Sequence, residues 1–222
     1  MKNQGQKHGF AKYSYRTYES GSANSSYSVR MMDIRIISGT DRPKSNALKV
    51  AKYLKPRYEE QGAAVDLVDL QRFPIRDVQG GKYGKDIPKV NKFVKPIVSA
   101  DGLVFVVPEY NGGYPGILKL MIDYLPFPNA LEKMPVCLLG ESAGAFGALR
   151  AVEQLQLVLG YRNAYLFPER VFISRVNKNF DPQKGVRDEM QRELLTSQIH
   201  NFTQYVKNIR SHEPVSDSLT IE

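Results

Sequence analysis

The sequence predicts a doubly wound α/β domain, a five-stranded parallel sheet of strand order 2-1-3-4-5 with helices on both faces. Three observations carry that expectation. Strand-like and helix-like segments alternate five times along the chain. The strand-like runs are short and apolar throughout, as strands covered on both faces are. Between two polar ends lie 179 residues, 32–210, enough for one core without disulfide or metal staples.

The elements follow in order. Ile34–Ile37 reads as the first strand, and Leu48, Ala51, Leu54 and Tyr58 recur at helical spacing after it, with Pro56 weakening the last turn. Val65–Val68 is the second strand. Residues 70–88 read as a polar loop with Gly80, Gly81 and Gly84, followed by a helix from Lys89 to about Ser99. Leu103–Val107 is five apolar residues in a row, the third strand. Gly116–Leu125 places Leu118, Met121, Ile122 and Leu125 on one helix face, with Pro115 suited to open it. On that helix Lys119 and Asp123 are spaced to pair. Val136–Leu139 is the fourth strand. Leu149, Val152, Leu155 and Leu159 mark the next helix, closed by Gly160. A fifth strand lies within Ala164–Ile173. The last helix is expected from about Val186 to Arg210, with Leu195, Ile199, Phe202, Val206 and Ile209 on one side.

The ends differ in composition. Residues 1–31 carry five basic side chains and one acid among Ser, Gly, Asn and Tyr, with no aliphatic run. Such a segment buries too little apolar surface to offset its chain entropy, so it is expected to be a disordered extension or tag. Met31 and Met32 stand directly before the first strand, which also fits a misassigned start. Residues 211–222 hold three acids and no base and are expected to be a disordered tail. No stretch of 18 apolar residues predicts a membrane span, and no apolar h-region predicts a secretory signal. One cysteine, Cys137, and three dispersed histidines exclude a disulfide framework and a Cys/His metal site. The expectation is a metal-free cytoplasmic protein.

Open α/β sheets bind ligands beyond the carboxyl ends of their strands, at the point where strand order reverses. Three segments of unusual composition fall at that edge. The first, Ser38 to Asn46, follows strand one. Gly39 permits a tight turn, Thr40, Ser45 and Asn46 offer side-chain donors, Arg42 offers a planar cationic fork, and a helix N-terminus follows. An ordinary N-cap by Ser45 or Asn46 is the plainer reading of the same residues. The second, Pro108 to Gly116, is crowded with Gly and Pro, and Tyr110 and Tyr114 suit the flanks of a planar ring. The third, Gly140 to Gly147, exposes backbone and carries Phe146. A phosphate joined to a flat heteroaromatic group, a mononucleotide such as FMN, satisfies all three.

These residues resemble the NADPH-dependent FMN reductase family of flavodoxin-like flavoproteins. The resemblance rests on GTDRPKSN, on PEYNGGYPGILKLMID from Pro108 to Asp123, and on GESAGAFGALRA, and it covers about 32–210. It implies that Thr40, Arg42, Ser45 and Asn46 hold the FMN phosphate. Pro108, Glu109, Tyr110, Asn111 and Gly112 would line the isoalloxazine, largely through backbone amides, and Ser142, Ala143 and Gly144 would close the other side. Asp41, Lys44 and Glu141 depart from the family pattern. The resemblance further implies hydride transfer from NADPH or NADH to flavin N5 and two-electron reduction of a small-molecule acceptor: a flavin, quinone, azo compound or metal oxyanion. It implies no side-chain nucleophile. It also implies a homodimer or homotetramer, for which the apolar face of the last helix, or of the helix at 116–125, is the expected surface.

Two rivals follow from the residues. Gly140-Glu141-Ser142-Ala143-Gly144 matches the G-x-S-x-G elbow of serine hydrolases, with Ser142 as nucleophile. Only His200 and His212 follow it, one in a predicted helix and one in the acidic tail. The alternative of a non-catalytic flavin- or nucleic-acid-binding protein rests on the basic surplus of residues 41–100, thirteen bases against seven acids. No recognition motif accompanies that charge, so a solvated helix face is preferred and nucleic acid disfavoured. Neither G-x-G-x-x-G nor a P-loop is present.

Overall fold

The computed structural model describes residues 30–212. All but Arg30 and Met31 of the expected N-terminal extension, and most of the expected C-terminal tail, lie outside the described residues. The elements are β1 (Met32–Ser38), α1 (Asn46–Glu60), β2 (Ala63–Asp69), α2 (Ile75–Val78), α3 (Pro88–Val98), β3 (Gly102–Pro108), α4 (Gly116–Asp123), β4 (Pro135–Glu141), α5 (Leu149–Tyr161), β5 (Tyr165–Ile173), α6 (Val176–Asn179), β6 (Phe180–Asp181), β7 (Gly185–Val186) and α7 (Glu189–His212).

The five long strands form one parallel sheet in the order β2-β1-β3-β4-β5, as expected from the alternation. All seven residues of β3 are buried. Their side chains alternate between two cores. Val104 and Val106 join Ile34, Ile36, Cys137 and Leu139 beneath α1 and α7. Leu103, Phe105 and Val107 join Ile37, Val136 and Leu138 beneath α3, α4 and α5. Each fully buried Leu, Ile or Phe contributes about 1.5–3 kcal/mol through removal from water. Cys137, within the apolar run of β4, is core; burial pushes its thiol up, so it stays protonated.

Three departures from the expected elements have local causes. The polar loop 70–88 contains a 3₁₀ turn, Leu70–Arg72, and helix α2, because Leu70, Phe73 and Val78 are buried in the core. The Asp69 side chain caps the turn by accepting from the Gln71 N–H at 3.1 Å. The last helix starts at Glu189, not Val186, because Gly185 and Val186 pair antiparallel with Phe180 and Asp181. Asp188 instead accepts the Gln191 N–H at 2.9 Å at that helix start. At its far end α7 continues through Ser211 and His212, past the expected boundary at 210.

At the amino edge of the sheet the Asp101 carboxylate is buried. It accepts from Arg30 Nη2 at 2.7 Å and from the Asp33 N–H at 2.8 Å. Arg30, expected in the extension, is thereby tied to the fold. Lys119 and Asp123 pair at 2.6 Å on α4, as their spacing predicts.

The two faces expected to meet a partner subunit are consumed internally. Leu195, Ile199, Phe202 and Val206 of α7 and Leu118, Met121 and Ile122 of α4 are all buried in the chain's own cores. The sheet needs a helix on each face, and these supply it. The large apolar side chains left outside include Leu157 and Tyr161 of α5, each 77% exposed.

Candidate flavin site at the switch point

β1 and β3 are adjacent, so the loops that follow them meet at one edge. The β1–α1 loop begins with Gly39, whose N–H bonds to Val106 O at 2.9 Å. A Cβ there would lie 2.6 Å from that same oxygen, so only glycine allows the approach. Thr40 is fully buried. Its Oγ1 accepts the Arg42 N–H at 3.2 Å and lies 3.0 Å from the Tyr110 hydroxyl. Ser45 caps α1 by accepting the Leu48 N–H at 3.1 Å. Asn46 donates to Asn177 Oδ1 at 2.7 Å. The Arg42 side chain is exposed. Among the described residues the N–H groups of Asp41 and Lys44 have no protein partner. The loop therefore keeps one guanidinium and two backbone donors free, a set suited to a phosphate.

The second loop is a tight hairpin. Tyr110 and Gly113 exchange backbone hydrogen bonds at 2.8 and 3.1 Å, with Asn111 (φ 51°) and Gly112 (φ 78°) between them. Positive φ at both central residues is the type I′ turn that Asn-Gly favours. The Asn111 and Gly112 N–H groups at its apex have no partner among the described residues. A Cβ on Gly112 would meet nothing within 4 Å, which leaves open space beside that apex.

Two α5 side chains hold this turn. Arg150 Nη1 lies 3.1 Å from Glu109 Oε1, and Gln154 Nε2 donates to Gly112 O at 3.0 Å. The other Glu109 oxygen is buried and unpartnered. Neither Arg150 nor Gln154 was singled out by sequence reasoning. Their i, i+4 spacing just after the third Gly-rich loop was the available signal.

The third loop is pinned from the β5–α6 turn. Ser142 donates its N–H to Ile173 O at 3.2 Å, and Ser142 O accepts from the Val176 N–H at 2.9 Å. Gly144 O accepts from the Arg175 N–H at 2.8 Å. Ala143 and Gly144 are exposed, and the Phe146 ring is 60% exposed with the Arg150 guanidinium 5.0 Å from its centroid. Ser142 Oγ donates to Gly144 O at 3.4 Å, within its own loop. His200 lies on α7 and contacts Gln61 Oε1 at 3.2 Å, just past the carboxyl end of α1. Ser142 thus has no histidine base among the described residues, and the elbow reading loses its chemistry.

Between the first and third loops sits Glu141, 4% exposed at the end of β4. Its carboxyl faces the Ala47 N–H in the first turn of α1. Burial pushes this acid up to about 7, against the opposing pull of that N–H and of Lys49.

A doubly wound sheet with a phosphate-type loop, a free-amide turn and a glycine-rich loop at its switch point defines a mononucleotide-binding flavoprotein. The donor set fits FMN: cationic and amide donors for a phosphate, and unpartnered N–H groups beside open space for a flat ring. Residues 32–178 match the family model described as NADPH-dependent FMN reductase. The chain belongs to that family and is a flavin-dependent oxidoreductase using FMN with a nicotinamide nucleotide. It is 32% identical to an NAD(P)H-dependent FMN reductase of Pseudomonas aeruginosa, over 80% of this chain and 98% of that protein. It is 30% identical to an NADPH azoreductase of a Bacillus species, over 79% of this chain and 93% of the relative. Among solved structures, the flavoenzyme NAD(P)H:(acceptor) oxidoreductase FerB of Paracoccus denitrificans superposes with a TM-score of 0.66 at 22% identity, covering 80% of this chain and 98% of that one.

Proposed function

We propose that the switch-point crevice is the FMN site and that the enzyme passes two electrons from NAD(P)H to a small conjugated acceptor, a quinone or an azo compound. The observation that carries the reading is the bridge between Thr40 Oγ1 and the Tyr110 hydroxyl at 3.0 Å, which couples the phosphate-type loop to the free-amide turn. When bound, FMN supplies the hydride chemistry. The chain's own residues bind and orient. Arg42 and the amides of Asp41 and Lys44 take the phosphate, with Thr40, Ser45 and Asn46 shaping the loop around it. Pro108, Glu109 and Tyr110 form the wall of the ring site. Asn111 and Gly112 would offer their N–H groups to the ring edge, where such donors favour a negatively charged ring. Ser142, Ala143 and Gly144 bound the opposite side, and Phe146 offers an aromatic edge to an acceptor.

The acceptor class follows from relatives named 2-hydroxy-1,4-benzoquinone reductase, quinone reductase and azoreductase. Free flavin and metal oxyanions are the competing acceptors. No described helix is long and apolar enough to cross a membrane, and a cytoplasmic setting suits the nicotinamide donor. Self-association would use the exposed side of α5. Purified protein is expected to carry visible flavin absorbance, or to acquire it with added FMN, and to bleach on addition of NADPH. Recovery on adding a quinone or azo dye, in preference to excess free flavin, supports the acceptor class. A protein that neither binds FMN nor oxidises NADPH in its presence overturns the reading.

A further inference from the structure

The turn between β5 and α6 touches two of the three loops at the switch point. The Arg175 N–H donates to Gly144 O at 2.8 Å and the Val176 N–H to Ser142 O at 2.9 Å, which holds the third loop. The next residue reaches the first loop: Asn177 Oδ1 accepts from Asn46 Nδ2 at 2.7 Å, across 131 residues of chain. β1 and β4 are not neighbours, because β3 lies between them. The loops that follow them are therefore joined through consecutive residues that belong to neither.

The first loop depends on such a tie. Residues 41–44 are exposed. Within the loop the Arg42 N–H reaches Thr40 Oγ1 at 3.2 Å and the Ser45 N–H reaches Arg42 O at 3.3 Å, at or beyond the long end of the usual range. Lys44 holds φ 55°, a left-handed conformation that a lysine keeps only where its surroundings impose it. Two residues on, the Asn46 carboxamide is fixed at both ends, by Asn177 at Nδ2 and by Lys49 Nζ at Oδ1, 3.3 Å away. The turn is itself anchored to the start of α7. Asn179 O accepts the Arg187 N–H at 2.8 Å and Asn179 Oδ1 the Asp188 N–H at 2.9 Å, while Asn179 Nδ2 donates to Gln191 Oε1 at 3.0 Å.

We propose that Asn177 is a positioning residue for the phosphate loop: by accepting from Asn46 it sets the first loop against the third, and so makes the site prefer a phosphorylated flavin to one without phosphate. This inference rests on the flavin reading above. Asn177 is uncharged, so its effect runs through geometry and not through attraction of the phosphate. The ring-side contacts of the Asn111-Gly112 turn do not involve it. Its removal therefore acts on the phosphate end of the ligand and spares the ring end.

The test is fluorescence quenching of FMN and of riboflavin by flavin-free wild type, Asn177→Ala, Asn46→Ala and the double variant. N177A is expected to bind FMN about three- to tenfold more weakly and riboflavin within about twofold of wild type. The two single losses for FMN are expected not to add, because each variant breaks the same bond, so the double variant binds FMN about as well as N46A. Where riboflavin binds too weakly to measure, this cycle on FMN decides alone. A merely structural role for Asn177 would lower both affinities together. Equal losses for FMN and riboflavin, additive losses in the double variant, or an unchanged FMN affinity in N177A overturn the inference and leave the flavin site standing. Absence of FMN binding by the wild type overturns the flavin reading and the inference together.

Discussion

At Glu141 an ionisable group sits where the fold prefers it neutral, and this has a cost in stability. Its ordinary value is 4.5 and its folded value about 7. The folded state therefore binds more protons than the unfolded state between those limits, and stability falls as pH rises through that window. Full ionisation costs about 3 kcal/mol relative to the protonated fold. Thermal unfolding of flavin-free protein should show the melting temperature declining between about pH 5 and about pH 8. Glu141→Gln should remove most of that slope. An unchanged slope in the variant would place the titration elsewhere. The sequence marks Glu141 only as a departure from the family pattern. That its carboxyl meets the start of α1 depends on β4 lying two strands from β1 in a folded sheet.

Among the elements, α5 does more than cover the sheet. Its first turns hold the Asn-Gly turn through Arg150 and Gln154, and Gln154 is exposed, so its single bond to Gly112 O contributes little to stability by itself. Gln154→Ala should therefore leave the unfolding midpoint within about 1 kcal/mol of wild type. FMN binding should nonetheless weaken about three- to tenfold, because the turn loses the bond that fixes its amides. Loss of fold and binding together would show instead that the bond is structural. The turn itself was legible, since Asn111-Gly112 can hardly be anything but a positive-φ pair. The clamp was not, because hydrogen bonds between residues 42 apart carry no local pattern. The same contrast holds for residues 70–88. Glycines and charges announce a loop there, while Leu70, Phe73 and Val78 are drawn into the core by neighbours the sequence does not place beside them.

Across the whole molecule, the formal charge of +8 is unevenly spread. Thirteen bases against seven acids lie between residues 41 and 100, and half of that surplus falls in the phosphate-type loop and α1. That field draws phosphorylated ligands at long range and weakens with salt. The exposed Leu157 and Tyr161 of α5 are the large-scale counterpart on the apolar side. If they meet a second copy of the chain, Leu157→Glu should shift the protein toward monomer in size-exclusion chromatography with light scattering. A wild type that is already monomeric, or a variant that stays oligomeric, rules out α5 as the contact.

Read alone, the chain carries its strand–helix alternation, its three candidate loops and its flavin class, because these depend on local patterns: apolar runs, helical spacing, Gly-Pro turns and a long contiguous motif. Folding settles which donors remain free. Ser45 is spent on a cap and Asn46 on Asn177, while Thr40 joins Tyr110 and Glu141 is buried at the end of β4. Those outcomes depend on distances between segments far apart in the chain, which only the closed sheet brings within hydrogen-bond reach.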